Sequence, residues 1–194
     1  MRVSNVEVYG LRESIRGAKF PMSTDTDKIT TVLTNGVKAL AQSEKGEGHD
    51  QWLTGVIVQF DLTAPLKMWV EAERYQFLHF VSSQSTMHRI TRFDIDAQCN
   101  EYVDERVKEV MRECVARYNI SQSQEDYLKC LFNVPAGFCL TARMTTNYRQ
   151  LKTIYSQRRT HRLPDWREFC LWIETLPMAF LITNDKDEVE DAAD

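Results

Sequence analysis

No apolar stretch in this 194-residue chain approaches the roughly 20 residues that a membrane-spanning helix requires. The start, Met1-Arg2-Val3-Ser4-Asn5, also lacks the apolar run of a signal peptide. Both absences lead to the expectation of a cytoplasmic protein with no membrane partner. No Cys-x-x-Cys pair occurs. The five cysteines, Cys99, Cys114, Cys130, Cys139 and Cys170, are an odd number, which fits buried thiols in a reducing compartment rather than disulfides or structural zinc. His49, His88 and His161 lack metal-ligand spacing and read as capping or loop residues, so no metal is expected. No Ser-His-Asp order, phosphate-binding Gly loop or dinucleotide Gly fingerprint is visible. Nor is there a basic cluster or aromatic-basic interleaving of the kind that binds nucleic acid.

What is present is the composition of an ordinary globular protein, 43% hydrophobic and 27% charged. The length suits one core, so a single domain is expected over residues 1–183. The formal charge of -4 is concentrated at the C-terminus, where residues 184–194 hold six acids and one lysine. Such an end reads as a solvated, disordered tail, and without it the body carries a charge of about +1.

Periodicity predicts a mixed α/β (α+β) body, richer in helix. Val3–Tyr9 alternates and meets Gly10, as a half-buried strand does. Asp25–Gln42 has helical spacing at Ile29, Val32, Leu33, Val37 and Leu40, and Ser43–Asp50 reads as a surface connection. Val56–Leu62 is the clearest strand, and Pro65 falls just inside a second helix running to Val81. Further helices are expected over 104–118, 124–132, 147–159 and 164–176.

Polar residues interrupt this pattern in three places. Leu66, Trp69, Val70, Phe77, Phe80 and Val81 form one stripe on the expected 65–81 helix, and Glu73 falls inside it. A carboxylate there is costly to bury without a partner, so it belongs either to a site with Arg74 and His79 or to an ion pair. Ser82–Arg89 is a dense run of hydroxyl and amide groups ending in a guanidinium, either a polar turn or a place where phosphate is held. Asn147 and Arg158 are eleven residues apart, about three turns, and so share the inward face of their helix with Leu151, Ile154 and Tyr155.

These residues give the chain a resemblance to the flavin-dependent thymidylate synthases. That family's signature is Arg-His-Arg-x-x-Ser-x-(Asn/Gln)-x-x-Ser-x-Arg-Tyr. The register from Phe77 to Ile90 keeps its first Ser as Ser82, its amide as Gln84 and its last Arg as Arg89. A second segment matches without a gap through Pro135, Thr145, Asn147, Arg149, Leu151 and Arg158, with Trp166 close behind. Phe77, Leu78, Met87, Ile90 and Leu131 stand where the family has Arg, His, Ser, Tyr and Arg.

The resemblance, from Thr54 to Glu174, implies that family's fold, a central sheet with flanking helices, together with a homotetramer and bound FAD. It further implies methyl or one-carbon transfer to C5 of dUMP, with NADPH and methylenetetrahydrofolate as co-substrates. By position, Ser82, Gln84, Ser85, Arg89 and Arg158 would surround the nucleotide, and His79, Asn147 and Arg149 would contact flavin. Arg74 is a candidate to supply nucleotide charge that the departures remove. No catalytic residue is assigned. The alternatives are a pyrimidine-nucleotide-binding protein of this fold without catalysis, and a structural role.

Overall fold

In the computed structural model, which describes residues 1–44 and 46–184, the chain opens with strand β1, Arg2–Tyr9, and turns at Gly10 into helix α1, Leu11–Gly17. Gly10 has φ 75°, and a Cβ there would meet the Gly55 carbonyl oxygen at 2.5 Å, so this turn requires glycine. The helix expected over Asp25–Gln42 is not continuous. A 3-10 turn covers Thr26–Lys28, and α2 spans only Asn35–Ala41. The β-branched residues Thr30, Thr31, Val32 and Thr34 disfavour helix between them, and Thr34 Oγ1 accepts the Val37 N–H at 3.3 Å, which starts α2 there.

Strand β2, Ile57–Pro65, buries Val58, Phe60, Leu62 and Ala64 and leaves the alternate residues partly exposed, as a period of two dictates. Pro65 therefore closes the strand and caps α3, Leu66–Ala72, rather than lying inside a helix. The long helix expected to Val81 stops at Ala72. Tyr75 and Leu78 each donate a backbone N–H to the carbonyl three residues back, both at 3.0 Å, and these turns bury the two side chains. Strand β3, His79–Ser83, follows with every residue exposed. Val70, Phe77, Phe80 and Val81 thus form no buried stripe, and Glu73, at the end of α3, is exposed and costs nothing to solvate.

After β3 come the short helices α4, Thr86–Arg89, and α5, Ile95–Gln98, then α6, Glu105–Ser121, and α7, Gln124–Phe132. Strand β4, Cys139–Asn147, leads into α8, Tyr148–Arg158, followed by α9, Pro164–Ile173, and α10, Phe180–Thr183. The four strands form an antiparallel sheet in the order β1-β2-β4-β3, so the central sheet with helices expected from sequence is present. No helix among the described residues is long and apolar enough to cross a membrane. The expected acidic tail lies outside the described residues from position 185 onward.

Two compact units can be distinguished. The first comprises Met1–Ser4 and Phe60–Met144, and its core gathers Ile90, Ile95, Met111, Cys114, Cys130 and Phe138, with α6 packed on α5 and α7. The second comprises Asn5–Gln59 and Thr145–Asp194. There α8 packs on α9 and α10, and Tyr148, Leu151, Ile154, Trp166 and Phe169 are fully buried. Tyr148 satisfies its hydroxyl by donating to the Pro177 carbonyl at 2.5 Å.

None of the five cysteines forms a disulfide; Cys114, Cys130 and Cys170 are buried as expected, whereas Cys99 and Cys139 are only partly so. Burial, helped by the Glu174 carboxylate, pushes the Cys170 thiol up from 9.0 to about 12. The neutral thiol therefore stabilises the fold fully below pH 9.0, and that contribution is lost as pH rises toward 12. Cys170 is expected to resist iodoacetamide at about pH 8 in native protein and to be alkylated once urea unfolds it, as read by peptide mass spectrometry.

Candidate functional site

In the first unit the polar run is held as an edge strand followed by one helical turn. Gln84 fixes its register twice: its backbone N–H donates to the Thr141 carbonyl at 2.9 Å, and its side-chain Oε1 accepts the Thr141 N–H at 2.8 Å. The side chain so extends the β3–β4 pairing one step past the end of β3. From the other end, Tyr127 donates its hydroxyl to the Met87 carbonyl at 2.6 Å. Ser85 precedes α4 as its cap residue, and its carbonyl accepts the Arg89 N–H at 3.1 Å. Arg89 ends that turn, exposed and with no side-chain partner among the described residues. Ser82, His79 and Arg74 are exposed as well, and the His79 ring meets Phe77 edge-on at 6.4 Å. An anchored backbone that presents hydroxyls and an unpaired guanidinium is chemically suited to an anion.

In the second unit, the inward placement expected for Asn147 and Arg158 is observed, since both are buried. Asn147 caps α8, its Oδ1 accepting the Gln150 N–H at 2.9 Å, which leaves its NH2 group to donate elsewhere. The Arg158 guanidinium lies 4.8 Å over the Trp166 ring and 2.7 Å from Nε2 of His161. His161 Nδ1 accepts the Leu163 N–H at 3.2 Å. His161 therefore supports the end of α8, in keeping with the loop role read from sequence.

Arg149 leads to residues that sequence reasoning missed. It donates from Nε to Asp50 Oδ1 at 2.9 Å and from a terminal nitrogen to Gln51 Oε1 at 2.7 Å. Asp50 was read as part of a surface connection, yet it is 6% exposed. Its other oxygen takes Lys152 Nζ at 3.1 Å, and that ammonium also donates to the Ala41 and Ser43 carbonyls at 2.7 and 2.9 Å. Gln51 lines a pocket of about 470 Å³ together with Trp52, His49, Met22, Pro21 and Leu40. The indole N–H of Trp52 is buried without a hydrogen-bond partner. No local signal reveals these roles, because the burial of Asp50 comes from contacts about a hundred residues away in sequence. Among the described residues, no cluster of side chains has the makings of a metal site.

The two guanidinium environments predict opposite consequences. Asp50→Ala leaves Lys152 and Arg149 without their carboxylate and is expected to cost about 3 kcal/mol or more in urea unfolding, as loss of one partner in a buried ion pair does. Arg89→Ala removes no protein contact and is expected to stay within about 0.5 kcal/mol of the parent.

No protein-family model and no curated protein matches the chain. Among solved structures, it is similar to flavin-dependent thymidylate synthase ThyX from Helicobacter pylori complexed with FAD and dUMP. The identity is 11%, over 94% of this chain and 97% of that one, with a TM-score of 0.70. A second structure of that enzyme with FAD and dUMP gives 11% identity, 95% and 98% coverage and a TM-score of 0.72. A UMP/dUMP methylase, PolB from Streptomyces cacaoi, bound with 5-Br dUMP, gives 14%, 90% and 89%, and 0.60. At such identities the likeness speaks for architecture alone. The chain has the fold of the flavin-dependent thymidylate synthases.

Proposed function

We propose that this protein transfers a methyl or related one-carbon unit to C5 of dUMP, giving dTMP or a similar C5-substituted deoxyuridylate, with bound FAD and with NADPH and methylenetetrahydrofolate as co-substrates. In this reading it works as a cytoplasmic homotetramer. The observation that most supports it is Arg89, an unpartnered guanidinium on a backbone anchored by Gln84 and Tyr127, in a fold whose solved members hold dUMP. Arg89 is the phosphate clamp, Ser82 and Ser85 donate hydroxyls, and Gln84 donates from its amide NH2. Arg74 supplements that charge, and Arg158 keeps the nucleotide assignment that the resemblance gives it.

The flavin supplies the reducing chemistry at the pyrimidine ring, which no side chain can provide. The residues fit such a group. The 470 Å³ pocket has the size of a ligand site, and its apolar wall of Trp52, Met22 and Leu40 suits a flat ring system. The buried, unpartnered Trp52 N–H is a donor that a heteroaromatic acceptor would satisfy. Arg149 orients Gln51 at that wall, and Asn147 and His79 keep the flavin assignment that the resemblance gives them.

One observation favours the rival reading, a nucleotide-binding protein without catalysis. Leu78 stands where the family has a polar ring, and it is buried in the protein with 6% exposure, so it presents nothing to a cofactor. The readings separate on purified protein. The enzyme is expected to be yellow, absorbing near about 450 nm, or to become so with added FAD, and to consume NADPH when dUMP is present. Protein that stays colourless with FAD yet gains thermal stability with dUMP is the binding protein. Arg89→Ala is expected to weaken dUMP by about 10- to 100-fold, the equivalent of a charge-assisted contact of about 1.5–3 kcal/mol. Unchanged dUMP affinity in that variant would remove the site from Arg89.

A further inference from the structure

The second unit has another cavity, of about 510 Å³, that neither the nucleotide nor the flavin reading uses. Asp50 and Lys152 form part of its wall, joined by Ser43, Arg159, Glu44 and Asn184. The wall's own charges, Asp50 and Glu44 against Lys152 and Arg159, balance, and Arg149, which pairs with Asp50 from outside the wall, brings the cluster to three cations against two carboxylates. Asp50 is neutralised from both sides, by Arg149 on one oxygen and Lys152 on the other, while the three N–H groups of Lys152 are all occupied. Arg159 keeps a guanidinium with no side-chain partner among the described residues, against the single exposed carboxylate of Glu44. Ser43 adds a second open valence, a buried hydroxyl with no hydrogen-bond partner among the described residues. A cavity with an excess cation, an unsatisfied hydroxyl and a rigid charged floor is built for an oxyanion.

We propose that this cavity binds a carboxylate- or phosphate-bearing group, with Arg159 as its charge partner and Ser43 as a hydroxyl donor. The group has two possible sources of the same chemistry: a free small metabolite, or the chain's own carboxylates, which begin at Asp185, directly after Asn184 in the cavity wall. The inference stands apart from the dUMP reading, because Arg89 belongs to the other unit.

Inorganic phosphate titrated into the full-length protein at constant ionic strength, followed by thermal unfolding, tests it. The titration is made in Arg89→Ala protein, which removes the phosphate clamp of the other unit; a saturable rise in Tm is expected there, with Arg159→Ala weakening the apparent affinity about tenfold and Ser43→Ala about threefold. A parallel titration uses full-length protein carrying Asp185→Asn, Asp187→Asn, Glu188→Gln and Glu190→Gln. Phosphate binding that appears or tightens only there makes the tail the natural occupant, and equal binding in both proteins makes it a free anion. No saturable rise in either protein overturns the proposal. So does a rise, in the Arg89→Ala background, that Arg159→Ala leaves intact.

Discussion

One buried carboxylate organises the second unit. Asp50 gives one oxygen to Arg149 and the other to Lys152. Through Lys152 it reaches the Ala41 and Ser43 carbonyls at the C-terminal end of α2, where a helix leaves acceptors unsatisfied and favours a cation. Three parts of the chain, the end of α2, the 3-10 segment His49–Gly55 and α8, are thereby locked by a single charge cluster. Burying charge in this way is costly unless its polar atoms are met, and here both Asp50 oxygens and all three Lys152 N–H groups are met. Pocket walls on either side of Asp50 in sequence, with Ser43 in one and Gln51 in the other, inherit their rigidity from it.

The first unit handles its polar groups in the opposite way. No described side chain pairs with Arg89, and what is fixed is the backbone beneath it, through Gln84 and the Tyr127 hydroxyl. A side chain held by its backbone and left without a partner gives up little to meet an incoming anion, since no internal contact must first be broken. Arg149 and Arg158, by contrast, are already engaged, with Asp50 and Gln51 and with the Trp166 face. Their part in any ligand site is to shape the wall as much as to touch the ligand.

The long helices were legible because their signals are local. Residues 124–132 match α7 end to end, and α8 begins one residue after the Asn147 that caps it. The 65–81 helix failed because the spacing of Trp69, Phe77, Phe80 and Val81 imitates a helical stripe, whereas the backbone turns at Tyr75 and Leu78 put the last three on an exposed edge. Strand β4 was not foreseen, since Ala142 and Thr146 occupy two of its buried positions and neither reads as a strongly apolar residue. With the false helix went the argument from Glu73, and the Ser82–Arg89 run now rests on its anchored geometry. Asp50 and Trp52 stayed hidden because only tertiary contacts reveal them.

The double use of Gln84 has a consequence for selectivity. With its carbonyl oxygen turned to the Thr141 N–H, the group it turns outward is its pair of N–H donors. A residue in that state reads the edge of a base in one sense only, accepting a carbonyl and rejecting an amino group. Uracil and thymine offer such a carbonyl at C4 and cytosine does not. A hydrogen bond made to finish a sheet thus fixes the polarity of the one amide in the polar run.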